Sequence, residues 1–185
     1  RERYLVPLAQ DRPTVLGFGE NLPFKDDSFD FVIAAHVLEH STDPEKFLSE
    51  LQRVAKAGYI EVPDAFFERV NPYRDHRSEI TVRNGKLYIL KKSGWIEDAN
   101  LVELYEDRVK EHMTKELMRR RPFDFHVRFF WKGEINFEVV NNDVDANWLP
   151  PESVERTIVA SLSGRLRNVI RKAVPFLLTQ SKYSY

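Results

Sequence analysis

Three of the five histidines in this 185-residue chain lie where their chemistry can be used. His36 and His40 enclose Glu39 in His36-Val37-Leu38-Glu39-His40, directly after the apolar run Phe29-Asp30-Phe31-Val32-Ile33-Ala34-Ala35. Two histidines one helical turn apart, with an acid between them, can bind zinc while the acid acts as base toward a metal-bound water. That geometry needs a helix, whereas Ser41-Thr42-Asp43-Pro44 starts a new one and leaves barely a turn for the motif. Zinc hydrolysis is therefore a lesser alternative, and no metal site is expected. Histidine titrates near neutral pH, so His36 and His40 are candidate catalytic bases. The competing reading has one histidine lining a cleft and the other packing at a helix end. Arg74 and His76, in Arg74-Asp75-His76-Arg77, form a charged cluster that either recognises an anionic or sugar-like substrate or is a solvated loop.

The elements that must hold these residues alternate between strand and helix. Residues 14–18 read as a short strand, and residues 29–35 as a strand buried on both faces of a parallel sheet. Asp43 caps a helix with Pro44 at its first position; Phe47, Leu48, Leu51, Val54 and Ala55 follow at helical spacing, and Gly58 ends it. Residues 59–62 form the next strand, completing a strand–helix–strand unit. Asn84-Gly85 between residues 80–83 and 86–90 marks a hairpin with a type I′ turn. Leu101, Tyr105, Val109, Met113 and Leu117 give a stripe along a helix from about residue 97 to 119. Residues 125–131 and 134–140, joined by Lys132-Gly133, read as a second antiparallel pair.

Composition excludes several classes. With no cysteine there is no disulfide framework, no thiolate metal site and no cysteine nucleophile. A net charge of −1 gives no bias toward nucleic acid, so no specific nucleic-acid partner is expected. No apolar run reaches the roughly 20 residues that span a bilayer, and a cytoplasmic location is expected. Residues 151–185 stand apart as a second unit after residues 1–150. Six basic residues there face two acidic ones, on a helix with Ile158, Leu162, Leu166, Val169, Ala173 and Leu177 along one side. Such a helix packs with a solvated basic face, or makes a peripheral membrane or protein contact through residues 156–178.

Residues 20–63 carry a more specific pattern. Glu20-Asn21-Leu22-Pro23-Phe24, Asp27-Ser28-Phe29-Asp30, His36-Val37-Leu38-Glu39-His40, Asp43-Pro44, Arg53-Val54 and Gly58 stand in register. In this the chain resembles class I S-adenosylmethionine-dependent methyltransferases that act on small molecules. The resemblance implies an α/β, Rossmann-like sheet of order 3-2-1-4-5-7-6. Residues 14–18 would be strand 3, residues 29–35 strand 4 and residues 58–62 strand 5, and the later pair would supply strands 6 and 7. It implies S-adenosylmethionine as cofactor, with Phe18, Gly19, Glu20, Asn21 and Leu22 toward the adenine and Ala35 and His36 toward the methionine portion. It implies methyl transfer to a small molecule or glycan precursor. Two departures stand out. Phe18 occupies a position where the family usually has an acid, and the glycine-rich loop after strand 1 and the acid ending strand 2 belong upstream of Arg1. The expectation is thus a sheet lacking strands 1 and 2, with an added hairpin and C-terminal helices, inactive by itself. A catalytically silent, methyltransferase-like binding domain is the alternative.

Overall fold

The computed structural model describes residues 11, 13–95, 97–121 and 123–149, so the readings made for residues 151–185 lie outside the described residues. Helix α1, Pro44–Val54, forms where its cap was expected: the Asp43 carboxylate accepts the Lys46 N–H at 2.9 Å, with Pro44 in the first turn. Phe47, Leu48, Leu51 and Val54 turn inward, each burial contributing roughly 1.5–3 kcal/mol. The helix stops at Val54 rather than at Gly58. Ala55 is already extended, and Gly58 lies inside the following strand. Only glycine fits there, because a Cβ would sit 2.7 Å from Trp131 Nε1 and 2.7 Å from the Val32 carbonyl oxygen.

Strand β1 (Val32–Ala35) runs parallel to β2 (Ala57–Pro63) across α1, as the strand–helix–strand pattern requires. β5 (His126–Lys132) pairs antiparallel with β2 over its whole length, giving a sheet of order β1-β2-β5. The row Ala34–Ile60–Phe129 faces the core. The hairpin β3 (Ser78–Arg83) and β4 (Lys86–Lys91) turns at Asn84 and Gly85, both at positive φ (52° and 73°), as a type I′ turn demands. β6 (Phe137–Val139) adds to it in parallel beside β4, forming a second sheet of order β3-β4-β6. The α/β, Rossmann-like character thus stands, in partial form.

Three expectations about strands are corrected. Residues 14–18 are not a strand: among the described residues no neighbour takes their backbone groups, and only Phe18 bridges Asn21. The strand expected over 29–35 is reduced to Val32–Ala35, at the edge of its sheet, with Ile33 67% exposed rather than buried. Residues 125–131 and 134–140 do not pair with each other. Val127, Phe129 and Trp131 follow the core face of β2, and beyond Gly133 (φ 75°) the chain crosses to the hairpin, where Leu87 N–H donates to Asn136 O at 2.9 Å. β5 therefore takes the antiparallel seat beside β2, and of residues 134–140 only Glu134 bridges back to it, at Lys132.

Helix α2 spans Ala65–Val70. Helix α3 runs from Ala99 to Arg120, alternating α-helical turns with π-helical ones at Tyr105–Val109 and Met113–Leu117. A strict four-residue spacing drifts by about 40° per step on a 3.6-residue helix, and the wider π turns offset that drift. Tyr105 and Met113 are consequently both buried, in a cluster with Phe67 and Phe125.

Candidate functional site

The loops beyond the carboxyl ends of β1 and β2 gather most of the polar side chains singled out above, which is where open α/β sheets bind ligands. Residues 18–22 are tied to this edge from two sides. Ser41 Oγ donates to Glu20 Oε1 at 2.5 Å, and Leu22 N–H donates to Glu50 Oε2 at 2.7 Å. Arg53, one turn along from Glu50, donates to the carbonyls of Leu22 and Phe24 and to the carboxylates of Asp26 and Glu50. The Arg53 hydrogen bond, against the cost of burial and with help from Leu22 N–H, holds Glu50 down at about 2. α1 thus fixes the loop as well as the core. Gly19 presses on the Phe47 ring, where a Cβ would come within 2.4 Å. Asn21 N–H closes a turn onto Phe18 O at 3.1 Å, and the Phe18 side chain is 79% exposed.

At the end of β1, Ala35 is exposed and His36 takes a left-handed backbone conformation (φ 55°). In a residue with a side chain this costs on the order of 1–3 kcal/mol and is concentrated at functional positions. His36 N–H donates to Glu61 O at 2.7 Å. Its ring lies between two carboxylates, Nδ1 3.4 Å from Glu39 and Nε2 3.5 Å from Glu61, with the His126 ring edge-on at 5.2 Å. The Tyr59 hydroxyl donates to Glu61 and accepts from Arg128 Nε at 3.1 Å; burial, then the Glu61 contact, pushes the Tyr59 phenol up. His126 and Arg128 were not singled out in the sequence, and Glu61 reads there as a residue placed by the sheet alone. Their placement comes from register, since Ala35 pairs with Glu61 and Glu61 with Arg128.

His40 ends the 3-10 turn Leu38–His40 and is held by the loop that carries Asp75 and His76. Its Nδ1 lies 3.2 Å from Asp75 O, and its ring meets the His76 ring at 4.7 Å. With His36 outside any helix, the helical arrangement needed for H-x-x-E-H zinc hydrolysis is not formed. His76 is no solvated loop residue either. It is 5% exposed, stacked on Tyr73, with Nδ1 2.7 Å from Glu68 Oε2, whose other oxygen accepts from the buried Lys92 at 2.6 Å. The cluster expected around Arg74 and His76 is thereby divided, because the Arg74 guanidinium stands 5.4 Å over the Trp95 ring. A cleft of about 460 Å³ opens beyond β2, between α2, the hairpin and the start of α3. Asp64, Arg69, Glu79, Thr81, Arg83 and Tyr88 supply its polar lining, with Arg69 paired to Glu79 and Thr81 donating to Asp64. Neither Arg74 nor His76 lines it.

Residues 5–60 match a methyltransferase domain family. Over 56 residues the chain is 46% identical to an uncharacterized protein of Methanocaldococcus jannaschii, covering 29% of this chain and 27% of that one. Over 43 residues it is 46% identical to norajmaline N-methyltransferase and 42% identical to ajmaline N-methyltransferase, both of Rauvolfia serpentina. Each of these two matches covers 23% of this chain and 15% of the plant protein. The chain therefore matches only about a quarter of the length of the archaeal relative and about a seventh of each plant one. No helix among the described residues is long and apolar enough to cross a membrane.

Proposed function

With residues 5–60 in the class I S-adenosylmethionine-dependent methyltransferase family, we propose that the protein transfers a methyl group from S-adenosylmethionine to a small molecule or glycan precursor in the cytoplasm. The observation that carries this reading is the tying of loop 18–22 to the segment after β1 through Ser41 and Glu20. It joins the two loops that the family uses for the cofactor. The residues present suit it in part: the exposed Phe18 ring and Leu22 suit an adenine face, while Ala35 and His36 border the methionine portion. When bound, the cofactor supplies an activated methyl group. The protein's own work is to align an acceptor and exclude water. His36 is the residue placed to take up the acceptor's proton, its ring held between Glu39 and Glu61. The cleft beside Asp64 and Arg69 receives the acceptor.

Phe18 favours a second reading, since it offers no acceptor to the adenine amine and suits a catalytically silent binding domain equally well. Isothermal titration of S-adenosylmethionine into the full-length protein separates the two. Stoichiometric binding, weakened at least tenfold in Gly19→Val, supports the enzyme; no heat of binding leaves only the silent domain.

A further inference from the structure

We propose that Glu39, His40 and His76 form a binding site for a single zinc-like divalent cation. The backbone brings them together: Arg77 N–H donates to Glu39 O at 2.6 Å, locking the 3-10 turn against the loop that carries His76. One ligating atom from each of the three residues lies within 4.8 Å of the others. Glu39 and His76 are almost wholly buried, and His40 is about one-third exposed.

The surroundings of the two rings set which atoms ligate. A carboxylate or carbonyl oxygen can only accept, so the His76 Nδ1 beside Glu68 and the His40 Nδ1 beside Asp75 O each carry the proton in the neutral ring. Nε2 of each ring is then the lone-pair atom. An oxygen behind Nδ1 is the usual second partner of a metal-binding histidine, fixing tautomer and orientation. Here that partner is itself built in: Glu68 is held by Lys92 Nζ at 2.6 Å and by Tyr73 N–H at 3.2 Å. Lys92 balances Glu68, and Glu39, which also lies 3.4 Å from His36 Nδ1, is the carboxylate that the cluster offers to a dication.

Two imidazoles and one carboxylate select borderline first-row cations over magnesium or calcium. Metal–donor bonds of roughly 2.0–2.1 Å put tetrahedral donors about 3.4 Å apart, so the three must close by up to about 1.4 Å. His40, on the surface, is the residue with room to move. A fourth position stays open, as in sites where zinc holds water or a substrate oxygen. This differs from the motif chemistry weighed above: Glu39 is a ligand rather than a base, and His36 is no ligand. The site does not depend on methyl transfer, and its test uses metal alone.

The test is titration of Zn²⁺, and in parallel Co²⁺, into chelator-treated full-length protein, followed by calorimetry, visible absorption and thermal melting. One equivalent bound with micromolar or tighter affinity is expected, with four- or five-coordinate cobalt bands and a raised melting temperature. His40→Ala should weaken binding at least a hundredfold while the protein stays folded, and Glu68→Gln should weaken it about 10- to 100-fold by loosening His76. His112→Ala, on exposed α3, should bind as the parent does. Absence of stoichiometric binding, or equal affinity in His40→Ala, overturns the proposal and leaves the cluster as a metal-free buried network.

Discussion

Replacing Gly58 by alanine tests how the edge of the sheet that carries Ala35 and His36 is held. The added Cβ would lie 2.7 Å from Trp131 Nε1, 2.8 Å from Trp131 Cε2 and 2.7 Å from the Val32 carbonyl oxygen. Ordinary contact begins near 3.4 Å, so the neighbours must retreat by about 0.7 Å. Trp131 is 6% exposed and packed in the core, and Val32 is backbone of the paired strand, so neither moves cheaply. Overpacking of this kind costs about 1–3 kcal/mol. The lower entropy of an unfolded chain with alanine returns roughly 0.4–1 kcal/mol. The expected net loss is about 1–2 kcal/mol, or a melting temperature lower by roughly 2–8 °C for a chain of this size. Thermal unfolding followed by circular dichroism measures it. A double-mutant cycle with Trp131→Phe should show coupling above about 0.5 kcal/mol, because the smaller ring relieves the clash. A Gly58→Ala protein as stable as the parent, or a cycle without coupling, would refute this account of why glycine stands in β2.

Other expectations follow from the same contacts. Glu50 is held at about 2 against an ordinary 4.5, so its contribution is complete above pH 4.5 and is lost as pH falls toward 2. Allowing for screening around the partly exposed Arg53, the loss is on the order of 2 kcal/mol, and Glu50→Gln should flatten the acid limb of an unfolding titration. Gly19→Ala drives a Cβ into the Phe47 ring, so a stability loss of about 1–3 kcal/mol by urea unfolding is expected, with weaker cofactor binding from the displaced loop. His36→Asn, which tolerates the same left-handed backbone, should lower kcat at least tenfold; an unchanged kcat removes His36 as the base.

The parts of the fold legible in the sequence are those written locally. Asp43-Pro44 and the apolar spacing after it gave α1, and Asn84-Gly85 gave the hairpin, because capping and left-handed turns depend on neighbouring residues alone. Gly58 misled because glycine serves both as a helix stop and as the one residue thin enough to pass Trp131, and only the partner strand tells them apart. β6 was assigned to β5 because the two adjoin in sequence, yet its hydrogen-bonding partner is β4, some 50 residues away. The candidate site divides the same way. His36 and loop 18–22 were recognised from the register of a family pattern. The burial of His76 rests on Glu68 and Lys92, whose meeting no local spacing announces.

Hydrogen exchange of the full-length protein with and without S-adenosylmethionine tests the central claim most directly, since it reads both whether the cofactor binds and where. The account predicts slower exchange at residues 18–22 and 35–40 when the cofactor is present, with little change in the Lys86–Lys91 strand. Unchanged exchange in both segments, or protection confined to other parts of the chain, would contradict it.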